Sequence, residues 1–401
     1  MVNFVIPNDL TEQEQLSWMQ EDAKYDVADE KDSDRLCIPE LGYSSGKSRP
    51  KVPKVFLSND CKFNCSYCGC RCTNDKRRYR YEPKKLAELA VEGAKEEGRG
   101  IFITSAIDQS PDYTQERIVE TLRCIRQEFH YQGYVHAKVM PGTDPHLIWQ
   151  AGQYADRLSV NIEVVNSEGY ERVAKQKNKE NILSPMRQIS QMIRWAKQER
   201  HQFAHSQTTQ LMAGSIGETD RDILRLADAL YSKYHLKRVY YTAFSYQTPA
   251  AGYDLPETRT PSWRKKRLYQ ADRLMQLYGF LPEELVSSKQ PDLLEHFDPK
   301  VNWALRNMDQ FPVDINRAGY QSLLRIPGIG IISAKKILHA RRYTTLTHDK
   351  LVKIGIPLKK SKYFIQCNGS FLGGKIVDRP DLYYPCFYED ISSDERQLSF
   401  L

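Results

Sequence analysis

The stretch VFLSNDCKFNCSYCGCRC, residues 55–72, joins a short apolar run to a dense group of cysteines. Five of the nine cysteines in the chain lie between Asp60 and Cys72. The run VFLS predicts a buried strand, so the cysteines begin where a loop would follow that strand. Clustered thiols hold a metal or react when the compartment keeps them reduced. This stretch therefore predicts a strand that delivers thiols to a functional loop.

The other cysteines do not indicate a disulfide framework. Cys37, Cys124, Cys367 and Cys386 are scattered, and the total number of cysteines is odd. The amino terminus MVNFVIPNDLTEQEQ lacks the order of basic and then apolar residues that marks a signal peptide. No window approaches about 18 uninterrupted apolar residues. We therefore expect a cytoplasmic protein with no membrane span.

Short apolar runs alternate with longer amphipathic stretches along most of the chain. The runs are VFLS (55–58), IFIT (101–104), YVHAKVM (134–140), LSVNIEVV (158–165), TTQLMAG (208–214) and RVYYTAF (238–244). Strands that alternate with helices predict a parallel sheet, here an α/β domain with a closed or partial (β/α)6 barrel. Functional residues are then expected at the carboxyl ends of the strands.

The alternation stops near Pro282, which divides the chain. We predict an amino-terminal extension over 1–50, the barrel over 51–282, a smaller all-α domain with its linker over 283–368, and a tail over 369–401. No repeat of 20–50 residues is evident in the sequence. Residues 317–375 contain twelve Lys or Arg and one acid, a charge of +11 in a chain of net charge +7. Such a segment indicates a polyanion-binding module, with a solvated lysine-rich surface as the alternative.

The cysteine spacing C-x3-C-x2-C, the preceding strand and Tyr67 before the third cysteine resemble the radical S-adenosylmethionine (SAM) superfamily. The resemblance implies that Cys61, Cys65 and Cys68 ligate a [4Fe–4S] cluster whose fourth iron binds SAM. It further implies reductive cleavage of SAM to a 5′-deoxyadenosyl radical that abstracts hydrogen from a substrate. A zinc site completed by Cys70 or Cys72, and a closed four-cysteine cluster of purely structural use, are the alternatives. Cys70 and Cys72 are assigned no role.

The contacts with SAM follow from the same resemblance and from strand periodicity. Thr104-Ser105-Ala106 stands where many members have Gly-Gly-Glu, and the stretch GSIGE at 214–218 is similar to a glycine-rich family stretch with altered spacing. The period of two in a strand places alternate polar residues of SVNIEVV on one side. The expected SAM contacts are Tyr67, Thr104, Ser105, Lys138, Asn161, Glu163, Gly214 and Gly217. The basic residues Arg172, Lys175 and Lys177 could line the entrance to the site, but taken alone they are interpreted as a solvated charge run.

The segment DINRAGYQSLLRIPGIGIISAKKILHARR, residues 314–342, is the second informative stretch. Its core resembles the helix-hairpin-helix of DNA repair and processing proteins. The resemblance implies phosphate binding by turn amides at a helix amino terminus and by basic side chains on that helix. The expected DNA contacts are Gly328, Gly330, Ile331, Lys335, Lys336, Arg341 and Arg342. Ile332 stands where related glycosylases carry a catalytic lysine, so we expect the hairpin to hold DNA without cutting it. A hairpin used for packing or dimerisation is the alternative.

The chain as a whole resembles a bacterial family of radical SAM proteins assigned to DNA modification or repair. The resemblance rests on SPDYTQERI, DRLSVNIE, LKRVYYTAF and the segment from FPVDINRAGY to the hairpin. It implies a radical SAM enzyme that acts on a DNA base, with a uracil-DNA-glycosylase-like protein as partner. The end QLSFL, from Gln397 to Leu401, resembles a motif that docks on the sliding clamp. An RNA- or tRNA-modifying radical SAM enzyme, a small-molecule or peptide radical enzyme, and a non-catalytic iron–sulfur DNA-binding protein are the rivals.

Overall fold

The computed structural model describes residues 54–97, 100–244, 260–373 and 386–389. The predicted extension 1–50, the clamp motif at 397–401 and most of the tail lie outside the described residues. The chain divides into two compact units. Of the described residues, the first unit takes those from Lys54 to Glu218 and from Leu226 to Thr260. The second takes Thr219–Arg225 and those from Pro261 onward.

Six parallel strands form the sheet of the first unit, in the order of the chain. They are β1 (Lys54–Phe56), β2 (Ile101–Thr104), β3 (Val135–Lys138), β4 (Arg157–Ser159), β5 (Ser206–Ala213) and β6 (Arg238–Ala243). An unbroken neighbour order in a parallel sheet is what repeated strand-and-helix crossovers build. The predicted α/β fold with a six-stranded parallel sheet, as in a partial (β/α)6 barrel, is confirmed.

Helices connect these strands. They are α1 (Pro83–Glu97), α2 (Pro111–Arg123) with a π-helical extension (Cys124–Glu128), α3 (Pro145–Tyr154), α4 (Ser167–Val173), α5 (Lys179–Glu199) and α6 (Asp220–Tyr234). Side-chain caps fix several of the starts. Ser110 accepts the amide of Tyr113 at 3.1 Å, and Asn178 accepts the amide of Asn181 at 2.8 Å.

The two faces of the sheet differ in polarity. Paired strand positions share a face, and side chains alternate between faces along each strand. One face carries Phe56, Thr104, Lys138, Ser159 and Thr208. The opposite face carries Val55, Ile103, Ala137 and Leu158, all at most 1% exposed. The apolar face packs against the helices, which leaves the more polar face for the interior of the partial barrel.

The fourth strand is shorter than LSVNIEVV predicts. β4 ends at Ser159, and Glu163 returns to the sheet through an isolated bridge to Leu211. The backbone of Glu163 has φ +64°, a left-handed conformation that a regular strand does not contain. Asn161 and Glu163 therefore belong to the loop beyond the strand, where alternation no longer fixes their direction.

The second unit is mainly helical. Its helices are the first part of α6, α7 (Ser262–Tyr278), α8 (Pro282–Leu285), α9 (Pro299–Arg306), a 3-10 turn (Met308–Gln310), α10 (Tyr320–Arg325), α11 (Ile331–Ala340), α12 (His348–Lys353) and α13 (Leu358–Ser361). The expectation of an all-α domain is corrected by a three-stranded sheet. Its strands are β7 (Val313–Asp314), β8 (Ile365–Cys367) and β9 (Ser370–Phe371). Strands of two or three residues are too short to show periodicity.

The second unit includes α7, which the sequence analysis had placed in the barrel. α7 contacts α9 and α10, so tertiary packing joins it to the later helices. Among the described residues, no helix is both long and apolar enough to span a bilayer.

Candidate active site

The cysteine loop, residues 59–72, follows β1 and is anchored from two sides. The amide of Lys62 donates to the carbonyl of Ile107 at 2.8 Å, beyond the end of β2. The amide of Ser66 donates to the carbonyl of Val173 at 2.9 Å, at the end of α4. Because backbone atoms make both contacts, the loop has a defined position at the carboxyl ends of the strands.

The three predicted ligand cysteines lie together on this loop. Cys61 and Cys65 are buried and Cys68 is half-buried. Burial raises the pKa of Cys61 to about 11 and that of Cys65 to about 12. A hydrogen bond from the Cys70 thiol lowers the pKa of Cys68 to about 7. Thiolates are the ligating form, and a cation held among them would offset the cost of burying their charge.

Cys70 and Cys72 differ in environment. Cys70 is buried, and its amide also donates to the Cys68 sulfur at 3.4 Å. Cys72 is exposed. Cys70 is thus a hydrogen-bond partner of a predicted ligand, whereas Cys72 faces solvent.

Arg78, which the sequence analysis did not identify, donates hydrogen bonds to the backbone of the cysteine loop. Its guanidinium donates to the carbonyls of Asn59 at 2.6 Å and Cys70 at 2.8 Å through one nitrogen. Through the other it donates to the carbonyls of Arg71 at 2.7 Å and Asn74 at 2.9 Å. A planar group with five donors suits this use. No sequence motif distinguishes Arg78 from the neighbouring arginines.

Glu163, Lys177 and Tyr67 form a buried polar group beside the cysteines. The Lys177 ammonium contacts the Glu163 carboxylate oxygen Oε1 and the Tyr67 hydroxyl, each at 3.1 Å. Burial opposes the charge of Lys177, but the Glu163 carboxylate together with Cys65 and Cys68 raises the pKa of this lysine. Glu163 Oε2 is buried without a hydrogen-bond partner. The site therefore retains one carboxylate oxygen available to a bound polar group.

The placement of Lys177 corrects the interpretation of its charge run as solvated. The side chain of Lys177 is only 11% exposed, whereas Lys175 is exposed. Arg172 donates to the carbonyl of Ile216 at 3.0 Å, so it too makes an internal contact. The chain turns at Ala174 after α4 and brings Lys177 inward, a change of direction that charge patterning does not reveal.

The remaining predicted SAM contacts lie at strand ends. Thr104 closes β2 and is buried, and Ser105 follows it with its hydroxyl 3.5 Å from the Ser58 carbonyl. Lys138 ends β3 and is half-buried. Asn161 is 8% exposed in the loop beyond β4. The register brings Thr104 and Lys138 to the same face and the same end of the sheet.

The turn after β5 is held by Glu218. Its carboxylate accepts the amide of Gly214 through one oxygen and the amide of Ile216 at 3.0 Å through the other. Gly214 and Gly217 have φ of +83° and +80°, conformations that favour glycine. A Cβ at Gly217 would meet nothing within 4 Å, whereas one at Gly214 would meet Thr260. Gly217 therefore borders solvent, whereas packing against Thr260 requires a glycine at position 214.

The predicted DNA contacts lie around the turn between α10 and α11. Gly328 is exposed with φ +82°, and Gly330 is the residue before α11, which begins at Ile331. Lys335, Lys336 and Arg342 are exposed. Arg341 instead donates to the carbonyl of Ala318 at 2.6 Å. Most of the predicted contacts therefore face solvent, while Arg341 and the Lys336 ammonium, which donates to the Ile354 carbonyl at 3.1 Å, make contacts within their own unit.

Lys300, a buried lysine that the sequence analysis did not identify, contacts the backbone of this turn. The Lys300 ammonium on α9 donates to the carbonyl of Ile329 at 2.6 Å and lies 4.8 Å from the Tyr278 ring centroid. Desolvation lowers the pKa of Lys300 to about 7. The backbone of the turn is thus fixed by a side chain from another helix.

Residues 55–230 match the family model described as the radical SAM superfamily. This stretch is a radical SAM domain. The match begins in β1, includes the cysteine loop and ends within α6. Its cofactors are a [4Fe–4S] cluster and S-adenosylmethionine. The match covers less than half of the 401 residues, so it identifies this domain and not the activity of the whole chain.

Three solved structures are similar to this chain. HydG, a maturase of the [FeFe]-hydrogenase, is 15% identical over 67% of this chain and 62% of its own, with a TM-score of 0.41. Methylornithine synthase (PylB) is 17% identical over 80% of each chain, with a TM-score of 0.44. The radical S-adenosylmethionine methyltransferase TsrM from Kitasatospora setae is 14% identical over 49% of this chain and 37% of its own, with a TM-score of 0.35. A search of curated proteins finds no match.

The residues present fit the two cofactors. Three thiols on one short buried loop provide the donor set of a cluster that keeps one iron open. The buried, unpartnered Glu163 Oε2 beside the cysteines provides a polar contact for a bound molecule. The individual assignments of Cys61, Cys65, Cys68 and the SAM contacts stay predictions.

Proposed function

We propose that this protein is a radical SAM enzyme that modifies or repairs a base of DNA, with the turn between α10 and α11 holding DNA phosphates. The observation that carries the proposal is the exposed basic turn in a chain that also contains a radical SAM domain. Gly328 gives the turn a backbone free of side-chain bulk, and Lys335 and Lys336 follow on the exposed side of α11. An enzyme for a small neutral substrate would have no use for this surface.

Charge supports a polyanion as substrate. The segment 317–375 has twelve Lys or Arg against one acid, Asp349. Contacts between lysines and phosphates release counterions and bind without regard to sequence. The hairpin would therefore position DNA, while the choice of base would be made elsewhere in the protein.

In the radical SAM domain, Cys61, Cys65 and Cys68 would hold the cluster. The cluster and SAM supply one-electron chemistry and hydrogen abstraction when bound. Arg78 fixes the backbone that carries the thiols, because three carbonyls of the loop and that of Asn74 accept its hydrogen bonds. Glu163 offers one carboxylate oxygen to a polar ligand, and Lys177 holds the other. A base within a duplex must leave the stack to reach such a recessed site.

The test is anaerobic reconstitution followed by quantification of 5′-deoxyadenosine with no nucleic acid, with DNA and with tRNA. We expect the yield to rise with DNA. Cys65→Ala should abolish the yield, whereas Cys72→Ala, which changes an exposed cysteine of the same loop, should retain it. Stimulation by tRNA over DNA would favour an RNA-modifying enzyme. An intact, reducible cluster that yields no 5′-deoxyadenosine would leave a non-catalytic DNA-binding protein as the better account.

Two protein partners extend the proposal. A uracil-DNA-glycosylase-like protein would act on the same base, and the sliding clamp would bind the end at 397–401. Deletion of those last five residues should abolish clamp binding in a pull-down with purified clamp, and unchanged binding would remove the clamp from the proposal.

A further inference from the structure

Residues 386–389, a described part of the predicted tail, pack against other residues of the second unit. Phe387 is 1% exposed, and its ring centroid lies 5.4 Å from that of Tyr363. The amide of Glu389 donates to the carbonyl of His296 at 2.9 Å. An apolar anchor and a backbone hydrogen bond therefore hold this segment in place.

The carboxylate of Glu389 joins two cations of the same unit. Its oxygen Oε2 accepts a hydrogen bond from Arg267 at 2.9 Å, and Oε1 accepts one from the Lys360 ammonium at 2.8 Å. The side chain of Arg267 is 0% exposed, whereas those of Glu389 and Lys360 are 29% and 31% exposed. The contact with Arg267 is thus internal. The contact with Lys360 lies at the surface, where another anion can reach the lysine.

Lys360 lies beside the turn between α10 and α11. A Cβ added at Gly328 would be 3.4 Å from the Cβ of Lys360 and 3.3 Å from the amide nitrogen of Ser361. Glycine at position 328 therefore allows α13, which contains Lys360, to approach the turn closely. The lysine that Glu389 holds is thus part of the surface that is proposed to bind DNA.

The sequence from Glu389 onward is acidic. The stretch EDISSDERQLSFL, residues 389–401, contains four acids and one arginine, a net side-chain charge of −3. Its sign is opposite to the charge of +11 in residues 317–375. Carboxylates and phosphates bind the same ammonium groups, because both present anionic oxygen acceptors. This stretch therefore has the charge expected of a competitor for DNA-binding lysines.

We propose that the tail is autoinhibitory: Phe387 anchors it, and the Glu389 carboxylate occupies Lys360 in place of a DNA phosphate. A phosphate that displaced Glu389 from Lys360 would leave the carboxylate paired with Arg267, so neither buried charge would lose its last partner. The contact lowers DNA affinity without preventing binding, because it withholds one lysine. This inference rests on the proposed function and adds to it a means by which the chain limits its own affinity for DNA.

The test measures DNA binding by the full chain, in anisotropy titrations with a short fluorescein-labelled duplex over a series of salt concentrations. Glu389→Gln removes the charge and keeps an oxygen that can accept a hydrogen bond from Arg267. The matched control is Asp309→Asn, which removes an exposed acid elsewhere in the same unit. Lys360→Gln and the double variant Lys360→Gln/Glu389→Gln complete a mutant cycle. Circular dichroism checks that each variant is folded.

We expect Glu389→Gln to bind DNA about fivefold more tightly than wild type. Its salt slope should be steeper by about 1, because one phosphate contact is gained. Asp309→Asn should change the affinity far less and leave the salt slope unchanged. In the Lys360→Gln background, Glu389→Gln should have no more effect than Asp309→Asn, since the lysine that it releases is absent.

The outcomes separate this inference from the proposed function. If Glu389→Gln strengthens DNA binding no more than Asp309→Asn does, Glu389 is only a structural partner of Lys360, and the proposed function stands. An equal gain with and without Lys360 also overturns the autoinhibitory contact, because the effect would then come from overall charge. Absence of DNA binding by both wild type and Glu389→Gln overturns the inference and the proposed function together.

Discussion

At the scale of single residues, the site depends on how charge is balanced around the cysteine loop. Lys177 would be costly to bury alone, and Glu163 supplies the opposite charge at 3.1 Å. The backbone of Glu163 has φ +64°, a left-handed conformation that is unfavourable for any residue other than glycine. Two backbone hydrogen bonds maintain this conformation. The Glu163 amide donates to the Gln210 carbonyl at 2.9 Å, and the Met212 amide donates to the Glu163 carbonyl at 2.8 Å. These contacts direct the carboxylate towards the loop.

The ion pair makes a prediction for stability. Glu163→Gln and Lys177→Met should each lower the free energy of unfolding by about 3 kcal/mol, because each leaves its partner buried and unpaired. The double variant should lose much less free energy of unfolding than the sum of the two single losses, with a coupling energy of about 1–3 kcal/mol. Urea unfolding of all four proteins, prepared identically, measures the cycle. Additive losses would mean that the pair is not an energetic unit.

At the scale of elements, the order of the strands could be predicted because each apolar run is bounded by polar turns and followed by a helical period. The position of the cysteine loop followed directly, since it comes after the first run. The end of β4 could not be predicted, because VNIEVV alternates as a strand would while Glu163 leaves the strand conformation. Arg78 was missed, and Lys177 was interpreted as solvated, for a related reason. Their roles depend on contacts between residues distant in sequence, which local patterns do not contain.

The placement of Lys300 could not be predicted from local patterns either. Lys300 looks like an ordinary exposed lysine at the start of a helix, yet it is 7% exposed beneath the turn between α10 and α11. Its position was fixed only when α9 packed against the later helices.

Lys300 makes a prediction for pH dependence. Its pKa is about 7 in the folded protein against an ordinary value of 10.5. Between these values the unfolded chain binds a proton that the folded chain does not, so Lys300 makes stability rise with pH over this window, by at most about 1.4 kcal/mol per unit. Below pH 7 both states are protonated and the slope vanishes. Lys300→Met lacks this pH dependence. Relative to wild type, its free energy of unfolding should therefore be highest at the low-pH end of the window.

Urea unfolding of wild type and Lys300→Met between pH 6 and 10 measures the difference, with Lys289→Met as the control for loss of an exposed charge. The free-energy difference between wild type and Lys300→Met should change steadily across the window, and that for Lys289→Met should stay constant. A constant difference for both variants would show that Lys300 titrates normally.

At the scale of the whole molecule, the chain combines a radical SAM domain with a basic helical unit, and the proposed function requires both. In the proposed function, chemistry at the cysteine loop and retention of DNA by the helical unit would depend on different residues and different forces. Cluster binding depends on buried thiols and is little affected by salt, whereas phosphate contacts weaken steeply with salt. The two activities should therefore be separable by mutation.

The double variant Lys335→Glu/Lys336→Glu should retain its iron and lose DNA affinity, with a salt slope reduced by about 2 because two phosphate contacts are removed. Cys65→Ala should show the opposite pattern, with no bound iron and an unchanged DNA isotherm. Iron and sulfide analysis together with anisotropy titrations on the same preparations measure both quantities. If Cys65→Ala also lost DNA affinity, the cluster would be needed for DNA binding, and the division of labour proposed for the two units would fail. If the lysine variant kept full affinity across the salt series, the DNA surface would have to lie outside α11.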